Sequence, residues 1–181
     1  MRVRHLRIPK ERVGSAIGPD GEVKKQLEDK SGAEISFDSE TGEVEIKATD
    51  ENPLKALTVR DVIKAIGRGF SPERALTLFN NDMYLEIIDI TSYASSDKAK
   101  SRLKGRVIGR EGKTRKAIEE NAEVYVSIYG KTIGIIGGPD RLQIAREAIL
   151  MLLDGAPHAA VYNFLEEKGR EIKNSPDLWR K

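Results

Sequence analysis

The sequence predicts an α+β protein. It reads as two tandem β-α-α-β-β-α units, each a three-stranded sheet packed on helices, with one extra C-terminal helix. Three observations predict this. Two glycine-bounded segments repeat half a chain apart. Around each, apolar residues switch between strand and helix periods in the same order. The 181 residues suit two small domains, and two copies are too few for a solenoid, which needs at least about three.

The repeated segments are Val13-Gly-Ser-Ala-Ile17-Gly18-Pro-Asp-Gly21-Glu-Val-Lys24-Lys25-Gln-Leu27-Glu28 and Gly105-Arg-Val-Ile108-Gly109-Arg-Glu-Gly112-Lys-Thr-Arg115-Lys116-Ala-Ile118-Glu119. In register, Gly14 meets Gly105, Gly18 meets Gly109, Gly21 meets Gly112 and Glu28 meets Glu119. The first unit opens with a strand pattern over Val3, Leu6 and Ile8. A helix follows from Lys10 to Ile17, and Gly18-Pro19-Asp20-Gly21 breaks it. A second helix runs to about Lys30, where Ser31-Gly32 ends it. Segments 33–37 and 43–47 alternate with period two around the hairpin signal Ser39-Glu-Thr-Gly42. Asn52-Pro53 opens a longer helix carrying Leu54, Leu57, Val62, Ile63 and Ile66.

The second unit runs the same way. A strand spans Tyr84 to Ile90, and a basic helix covers about 97–107 before the second glycine loop. The next helix ends near Asn121, segments 124–128 and 132–136 form a hairpin, and Gly138-Pro139-Asp140 starts a helix through Leu153. A short connecting helix over 72–79 closes the first unit, and His158 to Glu171 reads as the extra helix. The last ten residues, with Trp179, read as a mobile tail. The expected domains are 1–80, 81–156, and 157–181 for the C-terminal helix and tail.

Composition excludes several function classes. No cysteine is present, so disulfides, zinc-thiolate sites and cysteine nucleophiles are ruled out. Two histidines, His5 and His158, cannot make a three-histidine metal site. No metal and no cofactor are expected. No stretch approaches the ~18 apolar residues of a membrane span. Met1-Arg-Val-Arg-His-Leu-Arg lacks the apolar core of an export signal, so a cytoplasmic protein is expected. Abundant Lys, Glu and Arg beside scarce Gln match the hyperthermophile bias, which a small RNA-associated protein can share.

The net charge is only +2, but it is unevenly placed. Between Lys98 and Lys116 lie nine basic residues and one acid, Glu111. Such a stripe is the footprint of a polyanion site. Glycines let a loop pass close to a sugar-phosphate chain, and a turn that opens a helix offers free N–H groups and a favourable dipole. A helix, a Gly-x-x-Gly turn and a second helix within β-α-α-β-β-α is the pattern of the type I KH domain. Its loop clamps about four nucleotides of single-stranded backbone beside an apolar groove.

The candidate RNA-binding residues are accordingly Arg102, Lys104, Arg106, Ile108, Gly109, Arg110, Glu111, Gly112, Lys113, Arg115, Lys116, Val126 and Ile128. Ile17, Gly18, Gly21, Lys24 and Lys25 form a weaker counterpart. Ile17, Ile108, Val126 and Ile128 read equally as groove or as ordinary core. The first loop holds Pro19, which has no amide donor, and Asp20, with Glu22 next to it, so the second domain is expected to be the main clamp. Gly109-Arg-Glu-Gly112-Lys113-Thr114 mimics the end of a nucleotide-binding loop, but Val107 occupies the position that needs glycine and a basic helix leads in. No constellation of catalytic residues appears, so no enzyme is expected.

With both loops in place, the chain resembles the partner-of-Nob (Dim-two) family of tandem KH ribosome-assembly factors, over about residues 1–170. The resemblance is most specific over Leu103 to Glu119, then Val126-Ser-Ile-Tyr-Gly-Lys-Thr132 and Ala65-Ile-Gly-Arg-Gly-Phe-Ser-Pro-Glu-Arg-Ala75. The acidic N-terminal extension of eukaryotic members does not precede Met1, so the expectation is an archaeal member. The resemblance implies small-subunit maturation at the 3′ end of pre-16S rRNA. The implied partners are the Nob-type endonuclease that makes the final cut and the alpha subunit of translation initiation factor two. The protein is expected to act as a monomer. A general single-stranded RNA or mRNA regulator of translation is the alternative reading.

Overall fold

The computed structural model describes residues 1–174; of the expected ten-residue tail, 172–174 continue the last helix and the rest, with Trp179, lies outside the described residues. In the first unit, β1 (Arg2–Arg7) is followed by α1 (Lys10–Ile17), α2 (Glu22–Ser31), β2 (Glu34–Phe37), β3 (Glu43–Ala48), α3 (Pro53–Gly67) and α4 (Pro72–Leu76). The second holds β4 (Tyr84–Asp89), α5 (Asp97–Ile108), α6 (Lys113–Ala122), β5 (Tyr125–Tyr129), β6 (Thr132–Gly137), α7 (Pro139–Leu153) and α8 (His158–Asn174). The chain divides into compact units at Leu85/Glu86, inside β4 and a few residues beyond the expected 80/81 boundary. The C-terminal helix belongs to the second unit, packed on α6 and α7.

The sheets have orders β1-β3-β2 and β4-β6-β5, so the third strand of each unit is central. In the first, Leu6 pairs with Val44, and Ile35 with Ile46. Alternation turns Val44 and Ile46 onto the helices, where they are buried with Leu27, Val59 and Ile63. In the second, Ile133 and Ile135 pack with Val107, Ile118, Ile149, Leu152, Val161 and Leu165 in one core.

One repeated contact explains a repeated residue. Glu28 accepts from the Ile35 amide at 2.9 Å, and Glu119 accepts from the Val126 amide at 3.0 Å. Each ties the helix that follows the glycine loop to the first strand of the hairpin, and so fixes the loop against the sheet.

The repeat also extends further than the glycine segments. The hairpin turn is 38–42 in the first unit and only Gly130-Lys131 in the second. That difference, and a connection of four residues from β3 to α3 against one from β6 to α7, shift the register of everything after them. In the new register α3 matches α7, each opening on proline and each 15 residues long. Ile66 then matches Leu152, Phe70 matches Ala156, and Pro72 at the start of α4 matches His158 at the start of α8. The helix after α7 is therefore a longer version of one that the first unit already has.

Both long helices end in the same device. Arg12 donates from Nε to the Ile66 carbonyl (2.7 Å) and from Nη2 to the Phe70 carbonyl (2.8 Å). Arg106 donates from Nε to Leu152 (2.9 Å) and from Nη2 to Ala156. The Ile66 and Leu152 carbonyls lie in a helix's last turn, where they lack intrahelical partners and carry the negative end of the dipole, and Phe70 and Ala156 lie three residues past each helix end, so one forked cation ties the helix to the chain that leaves it. His158 Nε2 adds a bond to the Arg106 carbonyl at 3.0 Å. Arg106 was expected among the RNA contacts; its guanidinium instead clips the end of α7.

Replacing Arg106 by leucine should lower unfolding stability in urea by about 2 kcal/mol, the scale of losing charge-assisted hydrogen bonds. The slope of RNA affinity against salt should not change.

Candidate nucleic-acid interface

The two loops share one backbone. φ/ψ is 78/169° at Gly18 and 75/173° at Gly109, 54/24° at Asp20 and 56/27° at Glu111, and 74/17° at Gly21 and 74/13° at Gly112. Three of four residues thus sit at positive φ. The first glycine is fixed twice over. A Cβ on Gly109 would lie 2.1 Å from Thr114 Oγ1, and one on Gly18 2.5 Å from Val23 Cγ2. The last glycine faces open space, so its φ alone selects it. Asp20 and Glu111 hold a left-handed conformation without being glycine, at a cost on the order of 1 kcal/mol or more.

On identical backbones the side chains invert the chemistry. Among the described residues, no acceptor in the chain takes the Arg110 or Glu111 amide, while Gly112 donates to Gly109 (3.2 Å). The first loop can offer only the Asp20 amide in the same place, because Pro19 has none. Arg102, Arg110, Lys113, Arg115 and Lys116 are exposed and Lys104 is half-buried. None of these six forms an ion pair among the described residues. Around the first loop, Asp20, Glu22 and Lys25 are exposed and Lys24 is half-buried.

Gly14 and Gly105 lie inside α1 and α5, where glycine costs about 1 kcal/mol relative to alanine. No neighbour would obstruct a Cβ there, and both are exposed. They leave a flat helix surface one turn before each loop, open to close approach by a ligand.

The C-terminal helix reaches the second loop. The Thr114 hydroxyl, 1% exposed, shares a 2.9 Å hydrogen bond with the Tyr162 hydroxyl. Lys113 Nζ stands 5.6 Å from the Tyr162 ring centre, within cation–π range. His158 is the next ring, 6.4 Å away. The sequence offered no motif for Tyr162, whose signal is its register with Leu76 in α4.

Residues 84–170 match the eukaryotic-type KH domain (KH-domain type I) of the kind found second in PNO1, and residues 3–59 match the KH domain. A KH domain-containing protein of Methanocaldococcus jannaschii, MJ0443, is 49% identical over 179 residues, covering 97% of this chain and 78% of that one. The crystal structure of Dim2p from Pyrococcus horikoshii is 47% identical with a TM-score of 0.86, covering 92% of this chain and 99% of that one. This chain belongs to the Dim2/PNO1-like family of tandem KH proteins. Dim2p in an a/eIF2alpha–aDim2p–rRNA complex from Pyrococcus horikoshii is also similar, at 46% identity and TM-score 0.88 over 94% of this chain and 95% of that one. Pre-rRNA-processing protein PNO1 of Coccidioides immitis is 35% identical over 115 residues, 62% of this chain and 45% of that one.

In the second KH domain, Ile108 is 37% exposed immediately before Gly109, and Ile128 is half-buried at the edge of the core. Val126 lies in the core at 2% exposure, and its amide donates to Glu119, so it takes the core reading of the two the sequence left open. In the first KH domain Ile17, Gly18, Gly21 and Lys24 are half-buried and Lys25 is exposed.

Tyr162→Phe strands a buried Thr114 hydroxyl and should cost about 1–2 kcal/mol in thermal unfolding. Adding Thr114→Val removes the stranded group. The double variant should therefore be more stable than Tyr162→Phe alone, which a melting curve reads directly.

Proposed function

We propose that this chain is a non-catalytic single-stranded rRNA-binding factor of small ribosomal subunit biogenesis, holding the 3′-end region of (pre-)16S rRNA. The second KH domain carries the clamp. The observation behind this reading is the pair of loops with one backbone and opposite chemistry: of the two, Gly109–Gly112 combines two amides with a surround of cations, none of them partnered by a hydrogen bond or an ion pair among the described residues. The similar PNO1 proteins are named for pre-rRNA processing, and the similar Dim2p structure is a complex with rRNA and a/eIF2alpha.

The RNA backbone would pass over Gly105 and along Gly109, Arg110, Glu111 and Gly112. Lys113 and Lys116, with Arg102, Lys104 and Arg115 around them, would meet phosphates. Ile108 and Ile128 would border the bases. Gly18, Gly21, Ile17, Lys24 and Lys25 would contribute weakly. We assign 1–80 and 81–156 as the two functional domains and 157–181 as their C-terminal extension. The protein partners in this reading are a Nob-type endonuclease and the alpha subunit of initiation factor two, and the site of action is the cytoplasm. Among the described residues no helix is long and apolar enough to cross a membrane.

If four to six cations contact phosphates, log affinity should fall with log salt at a slope of roughly −3 to −4, at ~0.7 per contact. Arg110→Asp with Glu111→Asp, titrated against a fluorescent rRNA 3′-end oligonucleotide, should abolish most binding. Pro19→Asp places the same two aspartates in the first loop and should leave affinity nearly unchanged. Equal losses would mean that RNA spans both loops. Equal affinity for unrelated oligonucleotides would point to a general single-strand regulator.

A further inference from the structure

The first KH domain contains a cleft of about 690 Å³ beside its own glycine loop, between α1, α2 and α4. That is the size range of sites that hold small ligands or side chains. Ser15, Glu22, Gln26, Glu73 and Leu76 line it together with Pro19. It contains two carboxylates and no cation. Glu22 and Glu73 are exposed and have no ion-pair partner among the described residues. The nearby Arg12 is committed to the carbonyls that end α3.

In the second KH domain, side chains at the corresponding positions reach across to neighbouring elements. Ser15, Glu22 and Leu76 stand in register with Arg106, Lys113 and Tyr162. There Arg106 reaches the end of α7, Tyr162 bonds Thr114 on α6, and Lys113 lies over the Tyr162 ring. Arg106 and Tyr162 thus bridge elements by hydrogen bonds, and exposed Lys113 covers the Tyr162 ring. In the first domain Val23 replaces Thr114 and Leu76 replaces Tyr162, so no hydroxyl pair can close the gap. The cations are replaced by a serine and an acid.

We propose that this cleft docks an extended segment of a partner protein through a lysine or arginine side chain. The aliphatic stem would lie on Leu76, Val23 and Pro19, and the charged head would meet Glu22 and Glu73, the amphipathic placement that long basic side chains favour. Nucleic acid is the poorer occupant: two carboxylates repel phosphate, and Pro19 withdraws an amide. A metal is excluded as the occupant on the donor set, since no group of three or more His, Asp or Glu that could hold one occurs among the described residues.

The test uses the full chain labelled with ¹⁵N and a capped nonapeptide, Gly-Arg-Leu-Arg-Gly-Arg-Leu-Arg-Gly. Amide shifts should cluster at Ser15, Gly18, Glu22, Gln26 and Leu76, and the same peptide with Glu for Arg should cause none. Glu22→Lys with Glu73→Lys should weaken binding at least tenfold. Leu76→Tyr alters no charge but fills the cleft, and should weaken it at least fivefold. If Leu76→Tyr does not fold, as judged by its amide spectrum, Gln26→Trp takes its place. Shifts spread outside the cleft, or affinity unchanged by the filling variant, would overturn the proposal by reducing it to diffuse charge attraction. Shifts of the cleft amides by an oligouridylate in preference to the peptide would overturn it in favour of RNA. Loss of RNA binding at the second loop would leave this result untouched, so the two readings fail separately.

Discussion

The turn between the first two helices of each domain constrains everything around it. Three of its four residues hold positive φ, and the first has no room for a Cβ because Val23 or Thr114 lies against it. A helix must therefore stop, reverse and restart within four residues. That geometry sets the angle of the two helices, and the helices carry the sheet with them through Glu28 and Glu119. The free amides of the second loop exist because the same left-handed residues cannot continue the hydrogen-bond ladder of α5. Strain and binding capacity thus have one origin.

Backbone and side chain divide the work. The two loops differ by no more than a few degrees at the three positive-φ positions, so conformation cannot distinguish a clamp from a non-clamp. What differs is the electrostatic surround. One loop sits among six cations that form no ion pair among the described residues, the other between acids and proline. A Gly-x-x-Gly signature specifies a shape that phosphate can use, and the flanking residues decide whether phosphate is welcome.

The element order, the loops and the hairpins were legible because glycine, proline and alternating apolar residues act locally. Helix ends predicted at Ile17 and Leu153 are where α1 and α7 end. What stayed hidden depends on long-range partners. Arg106 looks like any other residue of the basic stripe, and only the folded chain brings the carbonyls of Leu152 and Ala156 within its reach. Val126 and Ile128 alternate alike along a strand, yet one is sealed by the core and the other sits at its margin. Tyr162 belongs to a helix that the repeat seemed not to include. The shorter second hairpin and the shorter β6–α7 connection broke the register, and with it the correspondence between α4 and α8.

The arginine clips carry an evolutionary and engineering consequence. Arg12 stands in register with Leu103, and Arg106 with Ser15, so equivalent carbonyls are held from successive turns of equivalent helices. If the two halves descend from one duplicated ancestor, the anchor migrated along its helix. The intermediate carried either two arginines competing for one pair of acceptors or none. Chimeras that exchange α1 and α5 while keeping the helices behind them would relocate the clip by a turn, so that each acceptor pair meets a guanidinium from the other anchor position. Exchanges limited to the four-residue loops cross no such boundary, which makes the loop, and not the domain, the natural unit for recombining specificity in this architecture.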